Sequence, residues 1–231
     1  MPDGILIINK PSDWTSFDVV AKIRNKLGIK KIGHTGTLDP MATGVLVLCL
    51  GKATKLAQKI TDTDKEYVAE VTFGATSTTD DAEGEVTPFS SAVKELTLDE
   101  IKTALAAFQG TILQLPPDFS AKKIGGKRAY KIARKGEKPK LEPREITINE
   151  IKILDYKWPK LSLRIDCSKG TYIRSIARDL GEKLNVGGYL TGLIRTKVGK
   201  FTLNQAITIE EADEGKIIPL SNEPFASGKP C

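Results

Sequence analysis

The run Val45-Leu46-Val47-Leu48-Cys49-Leu50 contains no polar residue. Whatever it forms must be covered on both faces, and six residues bounded by glycines suit a buried strand. Immediately before it lies Gly33-His34-Thr35-Gly36-Thr37-Leu38-Asp39-Pro40-Met41-Ala42-Thr43-Gly44, which holds the only histidine of the chain. The glycines, threonines and proline mark a loop. A residue before proline is pushed toward an extended conformation, so Asp39 is held in place. Capping an Asx turn is the ordinary task of such an aspartate, and its neighbours decide whether it does more.

The rest of the chain supplies partners for that strand. Gly4 to Pro11 reads as a second short buried strand stopped by proline. Thr15 or Ser16 then caps a helix that carries Val19, Val20, Ile23 and Leu27 on one face, Lys22, Arg24 and Lys26 on the other, and ends at Gly28. Ala53 to Thr63 fits a short amphipathic helix. Lys65 to Gly74 alternates, placing Tyr67, Ala69, Val71 and Phe73 on one face of a strand, and the polar loop Ser77 to Gly84 follows. Leu98 to Phe108 is a helix begun by Thr97 or Asp99. Ile146 to Tyr156 and Leu161 to Cys167 alternate as two strands around a turn at Trp158-Pro159-Lys160, and Thr171 is a candidate cap for a helix through Leu180 and Leu184. Taken in order, these segments read as an α+β mixture of strands and helices.

Charge is distributed unevenly. The chain has a formal net charge of +6, yet residues 122–140 hold nine Lys or Arg against Glu137 alone, so that segment is +8 and the remainder −2. A second group, Lys22, Arg24, Lys26, Lys30 and Lys31, leads into the Asp39 loop. Two basic stretches flanking one loop favour a polyanion, most simply nucleic acid. No apolar run approaches the length of a membrane span, and Met1-Pro2-Asp3-Gly4 lacks the order of a signal peptide. The expected location is the cytoplasm. Three scattered cysteines, Cys49, Cys167 and Cys231, suit reduced thiols. With one histidine and no Cys-x-x-Cys, no metal site is expected.

Residues 33–46 occupy every fixed position of the pattern Gly-His-Thr-Gly-x-Leu-Asp-Pro-x-Ala-x-Gly-x-Leu, and so resemble the catalytic motif of the tRNA pseudouridine-55 synthases, the TruB family. Further motifs follow in the family's order. Asn9-Lys10-Pro11 with Thr15-Ser16 resembles the first, with Asp13 where glycine is common. Lys65-Glu66-Tyr67 resembles the Lys-x-Tyr motif. Pro116-Pro117-Asp118-Phe119-Ser120-Ala121-Lys122-Lys123 with Gly126-Lys127-Arg128-Ala129-Tyr130 resembles a mobile thumb. Cys167-Ser168-Lys169-Gly170-Thr171-Tyr172-Ile173-Arg174 resembles the arginine motif. Leu190 to Phe201 resembles the last, with Ile194 in place of an arginine.

The resemblance implies a pseudouridine synthase fold, a largely antiparallel mixed sheet flanked by helices, over residues 1–206. It implies a basic thumb insertion at about 117–145, ordered on RNA, and a short tail at 207–231 in place of the family's small C-terminal RNA-binding domain of the PUA type. It assigns catalysis to Asp39, Tyr67 and Arg174, with Arg174 as the partner that keeps Asp39 ionised. His34, Tyr67, Tyr172 and Leu193 would bind the flipped-out uridine, and Lys122, Lys127, Arg128 and Lys131 the RNA backbone. No cofactor and no metal are implied. The partner is the T arm of tRNA, with no membrane, no obligatory protein partner and a monomeric enzyme. A tRNA-binding or folding module with little catalysis, and a synthase acting on another RNA, are the alternatives.

Overall fold

The computed structural model describes residues 3–89 and 93–220. The end of the expected tail, including Cys231, lies outside the described residues. In chain order the first elements are β1 (Gly4–Lys10), α1 (Ser16–Leu27), β2 (Ile32–His34), β3 (Thr43–Leu50), α2 (Ala57–Thr61) and β4 (Lys65–Phe73). There follow β5 (Ala75–Ser77), β6 (Val86–Pro88), α3 (Leu98–Ala106), β7 (Gly110–Gln114), β8 (Lys123–Ile124), β9 (Lys127–Arg128) and α4 (Ala129–Ala133). The chain continues through β10 (Arg144–Lys157), β11 (Lys160–Cys167), α5 (Ile173–Lys183), β12 (Gly188–Val198), β13 (Phe201–Thr202) and β14 (Ile218–Pro219). Two compact units result, Met1–Tyr67 with Ile194–Cys231, and Val68–Leu193.

In the first unit the strands run β14-β1-β3-β12. β1 and β3 pair antiparallel from Gly4↔Leu50 to Lys10↔Gly44, which joins the two apolar runs along their whole length. One face of that pair meets α1: Leu6, Ile8, Leu46, Leu48 and Leu50 pack with Val19, Val20 and Ile23. The other meets α2, the end of β12 and β13: Ile5, Ile7, Val45, Val47 and Cys49 pack with Ile60, Val198 and Phe201. Burial on both faces is why neither strand alternates, and each such side chain contributes roughly 1.5–3 kcal/mol. α1 starts at Thr15 through a reciprocal capping box with Asp18 and ends on Gly28 at φ 65°.

The far edge of β3 is shared. β2 pairs with Leu48, Cys49 and Leu50, while β12 pairs in parallel with Thr43 and Gly44. The chain between these attachments is the Asp39 loop. His34 is therefore the last residue of a three-residue strand, a strand the sequence reading folded into the loop. Gly51–Leu56 is a 3-10 turn preceding the five-residue α2, where one helix was expected. Residues 207–219, expected in the tail, contribute Ile209, Ala212 and Ile217 to the core against α1 and β14 to the edge of β1.

In the second unit β10 is the long strand, paired antiparallel with β11 on one side and β7 on the other. Here β4 buries Ala69, Val71 and Phe73 on one side, as its alternation predicts. Thr72 and Thr191 hydroxyls meet at 2.9 Å, tying β4 to β12. α3 begins at Thr97 through a capping box with Glu100. α5 does not begin as predicted. Its N-cap is Tyr172, with no side-chain cap bond, because the Thr171 hydroxyl donates instead to the Ser168 carbonyl at 3.0 Å. The basic insertion leaves β7 after Gln114 and rejoins the sheet at Arg144. It carries the β8–β9 hairpin and α4, with Ala129 N–H donating to Lys122 O at 2.7 Å and Tyr130 N–H to Ser120 O at 3.0 Å.

Candidate active site

Asp39 sits half-buried in a loop held from several directions. Its own carbonyl accepts from Ala42 N–H at 3.1 Å, closing a turn. Ser16 brackets the preceding residue, with Leu38 N–H donating to its hydroxyl at 2.8 Å and that hydroxyl donating to Leu38 O at 3.2 Å. Lys10, fully buried, donates to the carbonyls of Pro40 at 2.9 Å, Trp14 at 2.6 Å and Pro11 at 2.8 Å. Asp13 adopts φ 66° and its N–H reaches Pro40 O at 2.9 Å. That left-handed conformation explains why glycine suits the position in the motif Asp13 departs from.

Arg195 completes the cradle. It is 2% exposed, and its Nε donates to Val45 O at 2.8 Å while the terminal nitrogens reach Gly36 O at 3.1 Å and Thr37 O at 3.4 Å. Thr35 N–H takes the next acceptor along the same strand, Val47 O, at 3.1 Å. The guanidinium thus fills the gap on the β3 edge between β12 and the departing β2. Gly44 lies against the Arg195 main chain at φ 101°, where a Cβ would come within 2.3 Å of Arg195 O.

His34 is half-buried, and its Nδ1 accepts from Gly36 N–H at 3.3 Å, which requires an unprotonated Nδ1. Burial first, and the Arg195 charge second, hold its pKa below the usual histidine value. Tyr67 is a nearly buried member of β4. Lys65 is structural in its visible contacts, donating to Thr61 O and Thr63 O at 2.5 Å each.

In the second unit Arg174, 6% exposed, opens α5. Its guanidinium pairs with Asp81 at 3.2 Å and donates to Thr79 O and Phe119 O at 3.0 Å each. The polar loop after β4 is therefore a support for this arginine. Next to it Arg178 pairs with Asp80 at 2.8 Å. Burial outweighs the nearby arginines and pushes the Asp80 carboxyl up to about 6. The Tyr172 ring lies under the Arg144 guanidinium at 4.7 Å, and Leu193 is nearly buried on β12. Lys127, Arg128 and Lys131 are exposed on the insertion and Lys122 is half-exposed.

The sequence reading singled out none of Arg195, Lys10, Gln114, Arg144 or Asp81 for a site. Lys10 and Arg195 did lie inside matched motifs, and a charged residue closing an apolar strand is a signal that could have found Lys10. Among the described residues, no cluster of three or more His, Cys, Asp or Glu could hold a metal ion. None of their helices is long and apolar enough to cross a membrane.

Comparison with known proteins gives the class, that of the pseudouridylate synthases. A family model described as TruB family pseudouridylate synthase (N terminal domain) matches residues 24–173, and one described as tRNA pseudouridylate synthase B C-terminal domain matches residues 174–217. The chain belongs to the TruB family. It is 48% identical over 217 residues to the tRNA pseudouridine synthase B of Symbiobacterium thermophilum, covering 93% of this chain and 72% of that one. It is 48% identical over 216 residues to the protein of the same name from Phocaeicola vulgatus, covering 91% and 92%.

Among solved structures it is similar to a chain of a Cbf5-Nop10-Gar1 complex, with a TM-score of 0.71 and 30% identity. It is also similar to a chain of an H/ACA RNP bound to a substrate RNA containing 2'-deoxyuridine, with a TM-score of 0.68 and 28% identity. Each comparison covers 90% of this chain, which spans 53% and 51%, about half, of the length of those two.

Proposed function

We propose that this protein isomerises uridine to pseudouridine in tRNA, at uridine 55 of the T arm. The observation that carries the reading is the Asp39 loop, whose complete motif is locked by two buried cations, Lys10 and Arg195, through its own carbonyls. A reaction at a sugar carbon needs a carboxylate at a fixed place, and this loop provides one.

The chemistry breaks the N1–C1′ bond, turns the uracil, forms C5–C1′, releases the C5 proton to solvent and takes up a proton at N1. Atoms and electrons balance without oxidant or reductant. Asp39 acts at the sugar, by attack on C1′ or by abstraction of the C2′ proton. Arg174, held by Asp81, is the guanidinium that the family resemblance assigns to keeping the carboxylate ionised. Tyr67 stacks on the base and handles the C5 proton, Tyr172 and Leu193 line the uracil pocket, and neutral His34 fills the space the flipped base leaves. Extrusion costs a few kcal/mol, which phosphate contacts from Lys122, Lys127, Arg128 and Lys131 help offset. The enzyme acts as a cytoplasmic monomer without an obligatory protein partner.

The test is tritium release from tRNA labelled at uracil C5, for wild type and Asp39→Asn. Release by wild type alone is expected, with tRNA binding retained in the variant. Release by Asp39→Asn would overturn the assignment. Tight tRNA binding by a wild type that releases nothing would favour a folding module, or a synthase for another RNA.

A further inference from the structure

The two ends of the basic insertion meet on one residue. Gln114 closes β7, Arg144 opens β10, and the two are opposite each other in the antiparallel ladder, so their side chains leave the same face. Both reach Tyr172. The Gln114 side chain, 1% exposed, donates from Nε2 to Tyr172 O at 3.0 Å and accepts from Tyr172 N–H at 2.8 Å through Oε1. A primary amide presents donor and acceptor side by side, so it grips a main-chain residue as a neighbouring strand would. Arg144 stacks its guanidinium over the Tyr172 ring and donates to Gly170 O.

The residues that follow Gln114 are fastened to the same helix. Leu115 O accepts from the Ser175 hydroxyl at 2.8 Å and from Arg178 at 2.9 Å, and Phe119 O accepts from Arg174. The N-cap of α5, Tyr172, makes no side-chain cap bond. Its start is set from outside, by the root of the insertion.

We propose that Gln114 and Arg144 are positioning residues, a clasp through which seating of the basic insertion on an RNA backbone is passed to Tyr172. The proposal rests on the reading of Tyr172 as part of the uracil pocket. Neither residue touches substrate. Each fixes a different part of Tyr172, one the main chain and the other the ring, so losing either should misplace the pocket without removing a phosphate contact.

The test is single-turnover tritium release at saturating enzyme, which an inactive unfolded fraction does not slow, together with tRNA affinity, for Gln114→Ala, Arg144→Ala and Arg144→Lys. The rate constant should fall ~10- to 100-fold, the loss a displacement of about 1 Å produces, with affinity within about threefold. Arg144→Lys should not restore the rate, because a lysine keeps the charge but not the planar stack. Lys127→Glu with Arg128→Glu should lower both affinity and rate in wild type, but only affinity in Gln114→Ala. Unchanged rates in both alanine variants, or a charge-reversal effect on rate that survives Gln114→Ala, would overturn the clasp.

Hydrogen exchange separates this failure from failure of the reading. Should wild type release no tritium, the functional reading falls, and exchange at residues 115–135 and 171–176 still decides the clasp. With RNA or heparin as the polyanion, joint protection in wild type and protection of the insertion alone in Gln114→Ala would support it. The same pattern in both proteins would overturn it.

Discussion

Replacing Arg195 by methionine tests whether the Asp39 loop is built from outside. Methionine has similar length and no donors, so the variant keeps most of the packing and removes the bonds to Val45 O, Gly36 O and Thr37 O. A hydrogen bond from a charged donor contributes ~1.5–3 kcal/mol. The bonds at 2.8 and 3.1 Å are sound and the one at 3.4 Å is weak, so the loss is about 3–6 kcal/mol on those values. At ~2–4 °C per kcal/mol for a domain of this size, thermal unfolding should move down by roughly 6–24 °C. Activity should fall further than stability explains. Well below the unfolding temperature, single-turnover release should still drop ~100-fold, because the loop that carries Asp39 loses its anchor on the β3 edge. A melting temperature within about 2 °C of wild type and a rate within about twofold would refute the argument. Arg195→Lys should behave like the methionine variant in rate, since one ammonium cannot reach acceptors on both sides of the gap.

Charge reversal across Lys127, Arg128 and Lys131, all exposed, should raise KM for tRNA and lower the slope of log affinity against log salt by ~2–3, at about 0.7–0.9 per lost phosphate contact. An unchanged slope in a salt titration would take these residues off the RNA. Asp80 lies above its ordinary carboxyl range, at about 6 against 3.8. The folded state therefore gains from protonating it, a gain complete below about pH 4 and lost as pH rises through 6. About two pK units amount to ~3 kcal/mol. In Asp80→Asn, urea unfolding should lack this decline between pH 4 and 6, and a parallel decline in both proteins would contradict the assignment. Thr15→Ala removes the hydroxyl that accepts from Asp18 N–H at 3.1 Å and should cost ~1 kcal/mol by denaturant unfolding. No measurable loss would mean the capping box is redundant.

The parts of the fold legible in the sequence are those where local chemistry and tertiary packing agree. β4 is covered on one side and alternates, while β1 and β3 are covered on both and do not. Thr15 and Thr97, each one of two cap candidates, have an acid three residues on, and each forms a capping box with it. The parts not legible depend on partners distant in sequence. β2 is a strand only because the β3 edge offers Leu48 to Leu50 as partners. Ile209, Ala212 and Ile217 are too widely spaced to signal an element, yet they seal the core over α1. Thr171 had the right residue type for a cap, but the Ser168 carbonyl competed for its hydroxyl.

The same division runs through the site. Asp39, Tyr67 and Arg174 are candidates because motifs surround them, whereas Arg195 and Gln114 act on main chain and leave no pairwise pattern to read. A carbonyl is the same acceptor whatever side chain its residue carries, so the grip itself does not dictate the side chain at the gripped position. Arg195 holds Gly36, Thr37 and Val45 this way, and Gln114, Ser175 and Arg178 hold Tyr172 and Leu115. Thr37 is exposed and Leu115 is 44% exposed, so neither is fixed by its own burial. Each is fixed instead by a donor from elsewhere in its unit. Precision at Asp39 and at Tyr172 therefore resides in a few long polar side chains, and these positions are the ones at which a substitution should separate folding from catalysis.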